Sequence, residues 1–276
     1  MKQLLCQPLL FCSLLSMAGI AAGATPLPAW QVLEYEQQAF FVTARSRVEI
    51  VPDAANAENW RLSANSSVAS NSEELILDMV ASSGRAVYRS RFSKGKNERY
   101  KTFDFQPEHI LRVRRDPPPG NAGLPPAQWP ISSSHDIPYP PLAAGVVVTD
   151  AYALLALAQR FLTSEEPTAE VVVYTEFNFY RVGMSRGDGP AIKVDYQVSG
   201  APAVSGSRQT RLVTLQVTPV GEQREKPDFS LLGLDADVSV LFDRDNGLPL
   251  QLRGKAPRIG STEINLKSVT MREPPA

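Results

Sequence analysis

A chain of 276 residues, 43% hydrophobic and 21% charged, has the balance of a globular protein and length enough for one large domain or two small ones. Its net charge of −1 sets up no overall field that would draw nucleic acid or an anionic membrane. Its 23 prolines are unevenly spread, which marks one long segment as different from the rest.

At the N-terminus, Lys2 supplies a positive charge, Leu4 to Ala22 is mostly apolar, and Ala22-Gly23-Ala24 fits the small-x-small cleavage pattern. These features predict a secretory signal over residues 1–24 and a mature chain over 25–276. An uncleaved anchor is weakened by Gln7, Pro8 and the Gly/Ala-rich end of the run. A lipoprotein reading of Leu9-Leu10-Phe11-Cys12 puts Phe11 where a small residue is required. Cys6 and Cys12 both fall inside the signal, so no disulfide, thiolate metal site or cysteine nucleophile is expected in the mature chain. No transmembrane segment is expected there either.

The mature chain then reads as short alternating segments with turn residues about every ten positions. Strands are expected at Val32–Glu36, Phe40–Val51, Trp60–Leu62, Leu75–Val80, Ala86–Phe92, Arg99–Phe105 and Ile110–Arg114. Residues 116–142 carry nine prolines, from Pro117 to Pro141, and at that density no regular strand or helix of any length is expected. One helix follows over Ala151–Leu162, capped by Thr149 or Asp150, with Leu154, Leu157, Ala158, Phe161 and Leu162 on a broad apolar face. Val171–Val182 reads as one long aromatic strand ending in a turn at Arg186–Gly189. Further strands are expected at Ile192–Val198, Leu212–Val217, Leu234–Phe242, Leu248–Leu252 and Ile264–Val269. The fold class is therefore mainly β: a curved antiparallel sheet or partly open β-barrel with one packed amphipathic helix, in a single domain over 25–276 with a proline-rich connection at 116–142.

The acidic turn in Asp243-Arg244-Asp245-Asn246-Gly247 tests for calcium. Counted from Asp243, the glycine falls fifth rather than sixth and the twelfth residue is Gly254, so the calcium-loop pattern fails. A three-residue loop, Asp245-Asn246-Gly247, pairs Phe242 with Leu250 and Val240 with Leu252 and keeps one apolar face whole. That register predicts a left-handed Gly247 in a bulge and Pro249 directed away from the core.

Other catalytic signals are weak. His109 and His135 are the two histidines and form no zinc-hydrolase pattern. Ser132, His135 and Asp136 lie side by side in sequence, which is not how a triad assembles. No nucleophile elbow, phosphate loop or dinucleotide fingerprint occurs, so no cofactor is expected. Arg112, Arg114 and Arg115 read as a solvated strand face. Asn65-Ser66-Ser67 is a glycosylation acceptor only in a eukaryotic secretory pathway.

In layout the chain resembles a group of exported bacterial proteins, domain-of-unknown-function family 3108. The likeness rests on Val32-Leu33-Glu34-Tyr35-Glu36 after the signal, Tyr100-Lys101-Thr102-Phe103-Asp104, Asp150-Ala151-Tyr152-Ala153-Leu154-Leu155 opening the helix, and Leu241-Phe242-Asp243 to Asn246-Gly247-Leu248-Pro249. It spans most of the mature chain; the long proline insertion and the missing glycine-rich segment in the first strands depart from the pattern. The resemblance implies a curved, partly open sheet near a helix, placed in the bacterial cell envelope, and supplies no catalytic residues. Three functions follow as expectations. The first is a non-catalytic periplasmic protein that binds a lipid or other apolar ligand, with Phe177, Phe179 and Tyr180 in the groove, or acts as a scaffold for an envelope protein. The second is an envelope-polymer hydrolase using carboxylates among Asp104, Glu108, Glu176 and Asp195, which requires two of them to converge. The third is a protein-interaction module that uses an exposed sheet edge.

Overall fold

The computed structural model describes residues 27–39, 42–95, 98–120 and 123–273, so the expected signal and both cysteines lie outside the described residues. The first half is an antiparallel meander. β1 (Trp30–Ala39), β2 (Val42–Pro52), β3 (Asn59–Val68), β4 (Asn71–Val80), β5 (Ala86–Lys94), β6 (Arg99–Phe105) and β7 (His109–Arg115) each pair with the next. β8 (Ile131–Pro138) joins beyond β7. After β9 (Val148–Thr149), a 3-10 turn at Ala151–Ala153 leads into α1 (Leu154–Thr163). The second half follows as β10 (Thr168–Tyr174), β11 (Phe179–Asp188), β12 (Ile192–Val198), β13 (Ala201–Arg208), β14 (Thr210–Val220), β15 (Ala236–Asp243), β16 (Pro249–Ala256) and β17 (Gly260–Met271).

Backbone pairing puts the strands in the order β9-β10-β11-β14-β15-β16-β17-β1-β2-β3-β4-β5-β6-β7-β8. The last strand, β17, therefore joins the two halves by pairing with both β16 and β1. The β12–β13 hairpin stands outside this order, attached where Gln197 and Val198 run parallel to Ser268 and Val269. β9 and β10 are also parallel, so the sheet is mixed rather than purely antiparallel. No pairing joins β8 to β9 among the described residues, so the sheet curls without closing into a barrel. Near this seam the Tyr139 and Phe179 rings meet edge-on at 6.1 Å.

The concave face holds the core. Residues directly opposite in an antiparallel pair share a face. Leu33, Val48, Ala64 and Leu75 thus form one buried row, and Ile50, Leu62 and Leu77 another. α1 fills the space they enclose. Its expected stripe is buried, and so are Leu155 and Ala156, leaving Gln159 and Arg160 as its most polar contacts. Gln159 accepts from Trp30 Nε1 at 2.6 Å, and Arg160 donates to the carbonyls of Ala81, Ser82 and Ser83 in the β4–β5 turn. In that turn Gly84 has φ of +77°, and a Cβ there would stand 2.6 Å from Leu157. At the C-terminal end of the helix, Arg186 donates to the carbonyls of Phe161 and Ser164 and Arg211 to that of Leu162, adding to the bond that Ser164 N–H gives Phe161.

Several expectations change. The proline-rich connection contains a strand, because Ser132 to Ile137 is free of proline and β8 lies at a sheet edge where Pro138 is tolerated. Val171–Val182 is a hairpin rather than one strand: β10 ends at Tyr174, β11 begins at Phe179, and the strand runs on through the expected turn to Asp188. The loop after β15 has four residues, not three. Asp243 N–H donates to Leu248 O, Phe242 faces Pro249, and a bulge lies beside it; the Val240–Leu252 pair and the left-handed Gly247 occur as expected. Pro249 is buried rather than outward-facing, because the bulge turns it inward and its carbonyl accepts from Tyr35 Oη at 2.9 Å. Finally, Leu234 stands before β15 in an isolated bridge with Leu231, and β13 was not expected.

Candidate functional site

The apolar rows of the inner face become basic at β5. Along one row Leu75 is followed by Arg91, Lys101 and Arg114 on β5, β6 and β7. Along the next, Leu77 is followed by Arg89, Phe103 and Arg112. The sequence carries the cause openly: Arg89-Ser90-Arg91, Arg99-Tyr100-Lys101 and Arg112-Val113-Arg114 each space two cations two residues apart, which puts both on one face of a strand. Like charges directly across a sheet repel, so this arrangement requires anions to offset it.

Acidic groups reach it from other elements. Glu176, on the β10–β11 loop, contacts three cations: Oε1 accepts from Lys101 Nζ and from Arg112 Nη2 at 3.0 Å, and Oε2 lies 3.4 Å from Arg91 Nη1. Glu73 pairs with the other end of Arg91, and Asp116 holds Arg114. Burial raises the Glu176 carboxyl, but the hydrogen bond and charge of Lys101, with Arg91 and Arg112, outweigh it and hold it below the ordinary carboxylate range. Burial pushes the Lys101 ammonium down against the pull of Glu176, and Arg91 and Arg112 add to the fall. Below this cluster, Arg89 and Asp150 form an ion pair with side chains 4% and 5% exposed. Arg89 also donates to the carbonyls of Tyr174 and Thr175 and lies 3.8 Å over the Phe103 ring. Asp150 Oδ1 caps the helical entry by accepting from Tyr152 N–H at 2.9 Å, as its position in sequence predicted.

Asp228 sets the loop that carries Glu176. Its carboxylate accepts from the N–H groups of Glu176 and Phe177, Thr175 Oγ1, Asn178 Nδ2 and Tyr180 Oη, at 2.6 to 3.1 Å. This distant clamp breaks the strand that Val171–Val182 suggested.

A half-open cleft of about 730 Å³ lies against the cluster, at one end of the curled sheet. Its walls are the inward ends of β2 to β5 (Ser46, Ser66, Glu73, Arg91, Ser93), the helix entry at Tyr152, the loop Thr175–Phe177 and the segment from Asp228 to Gly233. Burial, assisted by the negative charge of Glu73, pushes the Tyr152 phenol up to about 12. A separate recess of about 820 Å³ lies over Leu212, Leu215 and Phe229, and buried charges do not converge on it.

The expected site residues are mostly scattered. Of the four carboxylates, Asp104, Glu108 and Asp195 are exposed, and Glu176 alone reaches the cleft. Phe177 lines the cleft, while Phe179 and Tyr180 are buried, with Phe179 against Tyr174 and Tyr180 against Phe229. His135 is exposed on β8; Asp136 faces His109 at 3.4 Å, and Ser132 donates to the carbonyl of Arg114, so no triad forms. Arg112 is no solvated residue: its side chain is 14% exposed and its guanidinium lies 4.9 Å from the Phe177 ring centre. Asp243 is buried and turns its carboxylate onto the N–H groups of Asp245 and Asn246. Among the described residues no group of three or more His, Cys, Asp or Glu side chains is placed to hold a metal. None of their helices is long and apolar enough to cross a membrane. Sequence reading missed Arg91, Lys101 and Asp228; the repeated basic-x-basic spacing was a signal for the first two.

The fold has a solved counterpart. A β-barrel-like protein of the domain of unknown function DUF1849 from Brucella abortus matches with a TM-score of 0.51 over 90% of this chain and 100% of its own, at 8% identity. At that identity the likeness is one of fold. No protein-family model matches the sequence, and no curated protein matches it.

Proposed function

We propose that this chain is a non-catalytic cell-envelope protein, exported to the bacterial periplasm, that binds a small polar ligand in the cleft at the open end of its sheet. The cleft carries the reading: about 730 Å³ is within the range of about 300–1,000 Å³ typical of small-molecule sites, and convergent serine, tyrosine and arginine side chains line it. A polar ligand is favoured over an acyl chain because α1 occupies the apolar interior. Export rests on the signal at residues 1–24, and the envelope location also on the resemblance to family 3108. The hydrolase reading is disfavoured because Glu176 is held ionised by three cations, whereas a general acid needs a raised carboxyl.

Native mass spectrometry of the full chain recovered from the periplasm tests the proposal. The wild type is expected to carry a small polar compound near one per chain, and Ser93→Trp, whose ring fills the cleft, to lose it. Ser66→Phe replaces that variant if it fails to fold. Wild-type protein that comes without a compound, or a folded blocked variant that keeps it, overturns the reading.

A further inference from the structure

The basic rows of β5–β7 have more cations than their carboxylates answer. Arg91, Lys101 and Arg112 surround the single carboxylate of Glu176, and Arg91 must also serve Glu73. The buried Nε–H groups of Arg91 and Arg112 have no hydrogen-bond partner among the described residues. The Nε–H groups of Arg89 and Arg99 are unpartnered in the same way, and a guanidinium presents five donors in a planar fork suited to carboxylate or phosphate. Glu176 itself reaches the cleft wall beside Arg91 and Phe177. The Asp228 clamp holds the loop through its backbone at Glu176 and Phe177 and does not touch the Glu176 carboxylate.

We infer that Arg91, Lys101 and Arg112 form an anion site whose internal occupant is Glu176, and that the cleft ligand carries a carboxylate or phosphate group that displaces it. This deepens the binding reading above and rests on it. Of the three cations Arg91 lines the cleft, while Lys101 and Arg112 stand against Glu176 Oε1, so a guest's anionic group meets all three only in place of that carboxylate, with its remainder extending past Tyr152 toward Ser66 and Ser93. Glu176 then acts as a competitor that keeps the cations paired when no ligand is bound.

The test is a titration of the full chain with sodium phosphate and with citrate, against sodium chloride at matched ionic strength, read by thermal shift and calorimetry. Glu176→Gln is expected to lower the melting temperature without anion and to bind phosphate or citrate about tenfold tighter than wild type. Adding Lys101→Met to that variant is expected to cancel the gain. Vesicles of phosphatidylglycerol in phosphatidylcholine separate the sources: binding that tightens in Glu176→Gln while free phosphate and citrate have no effect assigns the anion to a lipid headgroup. A Glu176→Gln protein that is destabilised and responds to no anion beyond chloride overturns the site and leaves Glu176 a structural residue. A neutral compound recovered from the periplasm and lost in Ser93→Trp, with no anion response, overturns this inference while the cleft reading stands. An anion response preserved in full in Ser93→Trp overturns the cleft reading, and with it the assignment of the cleft ligand, while the anion site of Arg91, Lys101 and Arg112 stands.

Discussion

Gly247 takes φ of +68° as the last residue of the β15–β16 loop, and the Asp243 carbonyl accepts from its N–H at 2.9 Å. A β-branched residue there is strained in the left-handed region, at a cost of about 1–3 kcal/mol. Gly247→Val is therefore expected to lower stability by that amount in chemical denaturation; an unchanged midpoint contradicts the assignment. The glycine was legible in the sequence because only glycine is at ease in that conformation. The loop length was not, because Asp243 spends its carboxylate on the N–H groups of Asp245 and Asn246 and so starts the turn one residue early. Nor was the fate of Pro249 legible, since its burial depends on a bulge and on Tyr35 from the far end of the chain.

At the scale of elements, α1 is held less by its own propensity than by arginines on its surroundings. Ten residues make a marginal helix in water. Arg186 and Arg211 serve its C-terminal carbonyls, and Asp150 both caps its entry and pairs with Arg89. Removing one partner from a buried ion pair costs about 3–5 kcal/mol, because the other charge is left unpaired. Arg89→Met is expected to lose that much in denaturant melts. Arg89→Met with Asp150→Asn, which keeps a capping oxygen and removes the charge, is expected to recover part of it. A double variant no more stable than the single one contradicts the pairing. The helix and its buried stripe were readable from periodicity. Its partners were not, because Arg89, Arg186 and Arg211 each come from a different strand.

For the whole molecule, the telling feature is β17, last in sequence and central in the sheet. It bonds to β16 on one side and β1 on the other, and Arg272 just beyond it donates to the carbonyl of Ile50 at 2.6 Å. A chain ending at Ile259 would leave both halves with open inner edges, and is expected to show no cooperative thermal transition by circular dichroism. A cooperative melt of that truncated chain would show that the halves fold separately.

Local chemistry in the sequence determined the strand-rich class, the single helix, most of the turns and the paired cations of β5, β6 and β7, because each depends on residues within about ten positions of one another. The tertiary structure alone decided which strands meet, which face of each is inward, and how Glu176 comes to lie among Arg91, Lys101 and Arg112. Those contacts join residues more than sixty positions apart, and the loop that delivers Glu176 is shaped by Asp228, about fifty positions further on. Alternation tells which residues share a face, but only the closing of distant strands decides what that face will meet.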